Sequence, residues 1–460
     1  MNYTIEKVTT LIGARRYGTK EANISFVLTD SRSLCFPEET LFFALKTERN
    51  DGHNYIPELY ARGVRNFVVE VVPDNWETLY SGSNFLKVVG SLEALQRLAE
   101  RHRDEFLIPI VGITGSNGKT MVKEWLYQLL SPQMVVTRSP RSYNSQIGVP
   151  LSVWLLNENT QVGVFEAGIS KPGEMMALRD IIQPTIGVFT NLGTAHQENF
   201  PSIEAKCKEK LCLFHDTQAI AYSMDDDVLT HCLAQYNYQG EQLSWSTKHA
   251  DATFYIKSIE KKDIETTVTY TWKGGKEAQY KLPFIDDASV ENSITCAVVA
   301  LHLGVTQAAL AERMAQLEPV AMRLEVKEGQ HGCTLINDSY NSDYNSLDIA
   351  LDFMNRRPDH KGRKRTLILS DILQSGEDDK ELYNKVAFLC EKRGVDKFIG
   401  IGEGLLEERN AFKHLGEKHF FATINAFIHS EVFANLHDEV ILLKGARQFG
   451  FDHLTELLVK

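Results

Sequence analysis

The sequence predicts an α/β protein of three domains whose central domain is a parallel sheet carrying a phosphate-binding loop. Three observations carry that reading. The chain has 460 residues, more than one hydrophobic core ordinarily supports. From about residue 106 onward, short continuous apolar runs alternate with helical stretches, as strands buried on both faces of a sheet do. One of those runs leads straight into a glycine-rich loop and then an amphipathic helix.

Composition narrows the function before any motif is read. Hydrophobic residues make up 43% and charged residues 24%, which is globular and excludes a mainly disordered chain. The formal charge of −12 argues against coating a polyanion, so no nucleic-acid partner is expected, although a local basic pocket can still hold phosphates. No apolar run reaches the roughly 18 to 20 residues a membrane span needs. The opening MNYTIEKVTT lacks the basic-then-apolar order of a signal peptide, and a cytoplasmic location is expected. The seven cysteines are scattered and never in a C-x-x-C pair, so they read as buried reduced thiols.

Residues 1–105 give the β-rich runs SFVLTDS, ETLFFAL, NFVVEVV and FLKVV, with a helical stretch around Ile56 to Arg62. Residues 106–317 repeat strand, loop and helix. Within them Glu265 to Leu282 alternates in β fashion about Gly274 and Gly275, a hairpin signal. After Glu318 and Pro319 a third region, 318–460, places CTLIN, RTLILS, KFIGIG and EVILLKG between helical segments.

The most specific motif is LIPIVGITGSNGKTMVKEWLYQLL, Leu107 to Leu130. Gly115 and Gly118 let the backbone bend so that successive N–H groups face phosphate oxygens, and the helix N-terminus adds positive potential. Lys119 can reach terminal phosphates and the Thr120 hydroxyl can ligate Mg²⁺. Val122, Trp125, Leu126, Leu129 and Leu130 form the apolar stripe of the following helix. The loop reads G-x-x-G-x-x-G-K-T from Gly112, with Ile113 where the strict pattern wants glycine. A loop of this kind implies a nucleoside triphosphate but leaves open what its γ-phosphate does.

Other polar residues fall at the ends of apolar runs, where α/β sheets bind ligands. QVGVFEAG ends at Glu166, TIGVFTN at Asn191 with His196 beyond, and IEAKCKEKLCLF places Lys206 and Lys210 one turn apart. Glu166 and His196 are candidate ligands of a second divalent cation. Taken singly, such a glutamate is more often a solvated loop residue, and such lysines are usually a wet helix face.

Taken in order, GITGSNGKT, EAG, TNLGTAHQENF, VENSITCAVVALHLG, MRLE, NDSYNS and LLKGARQF resemble the motifs of the Mur ligases, ATP-dependent amide-forming enzymes of peptidoglycan precursor synthesis. TDSR, DGH, YNSQIGVPLS and DSYN are similar to the D-alanyl-D-alanine-adding branch of that family. The resemblance implies a three-domain architecture: a UDP-sugar-binding domain (1–105), a central P-loop domain (106–317) and a Rossmann-like ligase domain (318–460). It also implies a role in cell-wall biogenesis, cell shape and division. The implied substrates are ATP, UDP-MurNAc-tripeptide and D-Ala-D-Ala, and two Mg²⁺ ions are implied with them.

Residue by residue, the resemblance implies that Gly115, Ser116, Asn117, Gly118, Lys119 and Thr120 hold the ATP phosphates. Thr120, Glu166, His196 and a carbamylated lysine would bind metal. The family pattern K-x-x-I/L-F falls on Lys210 rather than Lys206 or Lys208, and carbamylation of Lys210 would need a neutral amine. Lys119, Lys210 and His196 are the expected catalytic residues. Asn292 would face adenine, Arg323 the phosphates and Asp338 the ribose. Ser31 and Arg32 match the uridine diphosphate contacts, Asn144 and Ser145 the muramoyl-peptide contacts, and Tyr340, Asn341 and Lys444 the dipeptide contacts. Without the resemblance, Arg323 and Asp338 would read as surface ion partners and Tyr340 as core.

Three places depart from the family pattern. Ala288 stands where a histidine is common, Ser145 where a second asparagine is, and Ser342-Asp343-Tyr344 replaces Ala-Asn-Pro after Asn341. Relatives with such variants carry a fused C-terminal alanine racemase, so this chain is expected to be the ligase half of such a pair. Another Mur-type or folylpolyglutamate-synthase-like amino acid ligase is the alternative reading. A nucleotide-driven switch would leave Glu166, His196 and Lys210 without a purpose.

Overall fold

The computed structural model describes residues 3–460 apart from 48–49, 194–196, 263, 322–323, 340–341, 358–361, 374–377 and 446–448, and only the backbone of Asp452. Three large sheets organise the described residues. The first has five strands in the order Arg15–Tyr17, Asn84–Lys87, Asn66–Val69, Thr40–Phe43 and Phe26–Leu28. Its first strand is antiparallel to its neighbour and the rest are parallel. All four β-rich runs read from the sequence are strands here. The helix Ser91–Arg103, which that reading did not separate out, lays Leu95 and Leu98 against Val68 and Leu86 of this sheet.

The middle sheet has nine strands. Ile110–Thr114, the strand that feeds the glycine-rich loop, sits between Val162–Glu166 and Ile186–Phe189, parallel to both. Glu166 pairs with Ile113 and Phe189 with Thr114, so three carboxyl ends meet beside the loop. This placement positions the site. The sheet is mixed rather than purely parallel, because Phe254–Lys262, Glu265–Trp272 and Glu277–Leu282 close it as an antiparallel meander. The expected hairpin joins the last two, turning through Lys273 and Gly274, both at positive φ.

The helix Lys119–Leu130 runs from the loop, and all five residues of its expected stripe are buried. Each such side chain contributes about 1.5–3 kcal/mol by leaving water. The Trp125 ring tilts against Phe284 at 5.1 Å, and its indole N–H donates to the Glu318 carbonyl at 2.9 Å. That bond ties the loop-bearing helix to the chain entering the third sheet. The helix Asp287–His302 packs on the same core and is buried along most of its length.

The third sheet has six strands, in the order Glu325–Glu328, Thr334–Asp338, Glu439–Lys444, Lys364–Ser370, Lys397–Ile401 and Glu417–Phe421. Only the first edge strand is antiparallel. All four apolar runs of this region are strands. All seven cysteines are free, as expected of reduced thiols, but Cys35 is exposed and Cys212 half-buried rather than enclosed. No helix among the described residues is long and apolar enough to cross a membrane.

An ion cluster gathers where the parallel strands of this sheet begin. Lys397 lies 3.3 Å from both Glu417 and Glu439, and Lys364 lies 2.8 Å from Glu417. The hydrogen bond from Lys364, helped by Lys397, holds the Glu417 carboxyl down to about 2. A carboxylate depressed in the folded state stabilises it above the ordinary value of 4.5, and that contribution is lost as pH falls through about 2. Glu417→Gln is therefore expected to lower the thermal midpoint at pH 7, with the gap to wild type closing as pH falls from about 4.5 toward about 2. Calorimetry across that range checks it; a gap constant with pH would contradict it.

Candidate active site

The glycine-rich loop is held from both sides. Gly115 and Gly118 lie at φ 138° and 84°, backbone regions open to glycine and costly for other residues. Crowding forbids larger residues as well. A Cβ at Gly115 would collide with Thr190 Oγ1, and one at Gly118 with Asn292 Oδ1. The segment after Ile186–Phe189 fastens to the loop. Ser116 N–H donates to the Asn191 carbonyl at 2.8 Å, Asn117 N–H to Asn191 Oδ1 at 2.9 Å, and Thr190 Oγ1 to the Asn117 carbonyl at 2.5 Å. Ser116 Oγ and the Gly193 backbone exchange a further pair of bonds. Asn191 was read only as a strand-end residue; it proves to be the clamp of the loop.

Three lysine Nζ atoms converge here. Lys119 Nζ donates to the carbonyls of Gly115 and Ser116 at 2.9 and 3.0 Å. Lys210 Nζ donates to the same Gly115 carbonyl at 3.1 Å, and Lys206 Nζ to the Gly193 carbonyl. Lys206 and Lys210 are buried while Lys208 is exposed, because the helix Ile203–Leu211 turns one face to the loop. Burial, with Lys119 and Lys206 nearby, drives the Lys210 amine well below its ordinary range. Burial brings Lys206 to about 8.

Glu166 is the anionic counterpart, fully buried at the end of its strand. Its Oε2 accepts from Thr120 Oγ1 at 3.1 Å and from Asn144 Nδ2 at 3.4 Å, while Oε1 accepts no hydrogen bond among the described residues. Lys123 Nζ lies 3.3 Å from Oε1. The sequence reading passed over Lys123. Its signal was a lysine three residues after Thr120, hence on the same helix face.

A cavity of about 390 Å³ joins these groups to the third sheet. Gly115 through Met121, Asn144, Ser145, Lys210 and Asn292 line one side, and Asp338, Ser346 and Lys444 the other. Asn292 donates to Met121 Sδ at 3.3 Å, with Ala288 one turn away on the cavity wall. Asp338 and Lys444, paired in register on adjacent strands, form a buried ion pair of 2.8 Å. Ser31 and Arg32 are not in this lining. They sit on a short turn of the first sheet's domain, where Arg32 is exposed and forked onto Asp30, and the Ser31 carbonyl accepts from Arg62 at 2.7 Å. His196, Arg323, Tyr340 and Asn341 lie outside the described residues.

The donor set suits a hard divalent cation. Thr120 and Glu166 put a hydroxyl and a carboxylate side by side, and Glu166 Oε1 has no hydrogen bond to satisfy it. Among the described residues no group of three or more His, Cys, Asp and Glu side chains forms a cage. Gly115→Ala is expected to weaken ADP binding at least tenfold, about 1.4 kcal/mol, with the far-ultraviolet circular dichroism unchanged. Isothermal titration reads the affinity, and ADP binding at wild-type strength would show that the tight turn is dispensable.

Comparison with known proteins adds independent findings. The family model described as "Mur ligase family, catalytic domain" matches residues 23–103, and "Mur ligase middle domain" matches residues 113–300. A Bacillus subtilis protein named UDP-N-acetylmuramoyl-tripeptide--D-alanyl-D-alanine ligase is 27% identical over 84% of this chain and 82% of its own. A Borreliella burgdorferi protein of the same name is 26% identical over 95% and 94%. Among solved structures, MurF from Acinetobacter baumannii superposes with a TM-score of 0.84 at 22% identity, covering 99% of both chains. Thermotoga maritima MurF in complex with ADP gives 0.76 at 22% identity, covering 94% and 96%. The architecture is that of these structures, and the chain belongs to the Mur ligase family.

Proposed function

We propose that this chain is an ATP-dependent ligase that joins D-Ala-D-Ala to the terminal carboxylate of UDP-MurNAc-tripeptide through an acyl phosphate. One observation carries the reading. Lys119, Thr120 and a buried Lys210 line one cavity that Asp338 and Lys444 close from the opposite sheet, and Glu166 stands directly behind Thr120, accepting its hydroxyl. Relatives named for this reaction span most of the chain, and the ADP-bound neighbour has the same fold. In the proposed arrangement residues 1–105 hold the UDP-sugar through Ser31 and Arg32, 106–317 the ATP, and 318–460 the dipeptide, all in the cytoplasm.

A carboxylate is a poor electrophile, so an amine does not displace its oxygen at useful rates. Transfer of the γ-phosphoryl group to that oxygen makes phosphate the leaving group. The Gly118–Thr120 backbone and the Lys119 ammonium would neutralise charge on the moving group, while Ser116 and Asn117, whose N–H groups donate to Asn191, would shape the loop, and Asn292 and Asp338 would fix the adenosine end. Asn144 and Ser145 would hold the peptide carboxylate in line. Mg²⁺ held by Thr120 and Glu166, with His196 as a further ligand, would supply electrophilic charge at the phosphates. Lys210 is kept from full protonation by its surroundings, the condition for capturing carbon dioxide as a carbamate whose two oxygens suit a second Mg²⁺. Closing the cavity between the sheets would keep water from the acyl phosphate.

Supplied with ATP, Mg²⁺, D-Ala-D-Ala and UDP-MurNAc-tripeptide, the protein is expected to yield ADP and a muramyl peptide longer by two alanines. Phosphate release should require both peptide substrates, and Lys119→Ala should abolish it. Product masses decide the matter. Glutamate addition would favour a folylpolyglutamate-synthase-like ligase, and hydrolysis indifferent to any acceptor would favour a switch. Density for a bare amine at Lys210 in crystals of active enzyme would remove the carbamate.

A further inference from the structure

We infer that Lys123 is a positioning residue that locks Glu166 and the loop 139–145 to the phosphate-loop helix, so that the nucleotide side and the acceptor side of the cavity move as one body. The inference rests on the ligase reading of the site and concerns a residue that reading does not use.

The Lys123 side chain is completely buried within the helix Lys119–Leu130. Burying an ammonium costs several kcal/mol unless its surroundings replace water, and here four oxygens do so. Glu124 Oε1 lies at 2.8 Å, Glu166 Oε1 at 3.3 Å and the Ser139 carbonyl at 2.9 Å, with the Arg141 carbonyl completing the set. Glu124 does not need this partner, since Arg138 also pairs with it at 2.9 Å. Helix packing does not need the charge either, because Val122, Trp125 and Leu126 supply the apolar contacts.

The ammonium instead reaches two parts of the site that have no covalent tie nearby. The first is Glu166. Oε2 is hydrogen-bonded to Thr120 and Asn144, and the Lys123 charge lies 3.3 Å from Oε1, an ion contact that favours this orientation while leaving Oε1 without a hydrogen bond. The second is the loop. Its carbonyls at 139 and 141 flank a residue, Arg141, in the left-handed region at φ 48°, a conformation that needs outside support. The loop then returns to the site three times. Ser139 Oγ accepts from Glu166 N–H at 3.2 Å, Ser142 Oγ bonds Thr120 Oγ1 at 2.9 Å, and the Asn144 carbonyl accepts from Gly168 N–H at 2.8 Å. That path delivers Asn144 and Ser145 to the cavity wall.

The test uses the full chain with Lys123→Met, Lys123→Gln, Glu166→Gln and the Lys123→Met/Glu166→Gln pair. Mn²⁺ affinity in the ADP complex is read by electron paramagnetic resonance, ADP affinity without metal by titration, and kcat and KM with the ligase substrates. Lys123→Met is expected to weaken Mn²⁺ about 10- to 100-fold, the effect of losing a group that orients a ligand, and to lower kcat. ADP affinity without metal should stay within about twofold, and the pair should match Glu166→Gln within about twofold, the limit of ordinary additivity. Lys123→Gln keeps a donor for the loop carbonyls without the charge, so it should weaken Mn²⁺ while raising KM for the muramyl substrate less than Lys123→Met does. It also stands in if Lys123→Met does not fold. Effects of the two sites that simply add, or a lower melting temperature with unchanged Mn²⁺ affinity, would overturn the inference. The Mn²⁺ and ADP measurements need no acceptor, so they judge Lys123 even where absence of a ligated product refutes the proposed reaction.

Discussion

The organising constraint of this molecule is the convergence of lysine nitrogens on the carbonyls of one loop and the segment clamped to it. Lys119 and Lys210 both donate to Gly115, and Lys206 stands a turn away on Gly193. Holding cations together away from water is costly, and burial beside Lys119 and Lys206 meets part of that cost by lowering the Lys210 amine well below its ordinary range. Backbone carbonyls lessen that cost but carry no net charge. A polyphosphate does carry it, and Lys119 and Lys210 both line the cavity that would receive one, whereas the Ser116 and Asn117 N–H groups, expected to face phosphate, donate to Asn191 instead. The lysine nitrogens around the loop thereby favour an anionic ligand in this cavity.

Sheet order makes the cluster possible. Because Ile110–Thr114 lies between Val162–Glu166 and Ile186–Phe189, the loop is flanked by a carboxylate on one side and the Asn191 clamp on the other. Parallel strands place every carboxyl end at the same edge, so the only flexible elements needed are the loops that leave them. The third sheet meets this edge with its own strand ends, Asp338 and Lys444. Their mutual ion pair keeps two buried charges neutral as a unit, so the facing wall adds hydrogen-bonding capacity without adding to the excess positive charge.

What the sequence revealed and what it hid divide along the range of the interactions. The loop was legible because its chemistry is local: glycines at Gly115 and Gly118, a lysine and a threonine at the helix start, and a helix stripe confirmed by burial of Trp125 and its neighbours. Glu166 was legible as the last residue of an apolar run. Lys123 was not, since a lysine among apolar neighbours acquires its meaning only from Ser139, Arg141 and Glu166, which come from other parts of the fold. The same holds for the pairing of Asp338 with Lys444 across 106 residues. The antiparallel end of the middle sheet shows the reverse case, where alternation over Glu265 to Leu282 foretold a hairpin but not the sheet it joins.

The departures from the family pattern also have physical consequences. Asp343 serves as N-cap of the helix Tyr344–Arg356: its carboxylate accepts from Ser346 N–H at 3.0 Å, and Ser346 Oγ accepts from Asp343 N–H at 3.1 Å. Asparagine caps as well as aspartate does, so the helix start does not by itself call for the charge. The charge is felt elsewhere. Asp343 raises the proton affinity of Lys206 against the effect of burial, whereas Lys210 faces the ammoniums of Lys119 and Lys206 and is driven much lower. Two lysines one turn apart on the same helix are thereby separated in character, one kept closer to an ordinary cation by a carboxylate from the third domain, the other pushed toward a neutral amine. An asparagine at position 343 would cap the helix equally well but would leave Lys206 and Lys210 more alike.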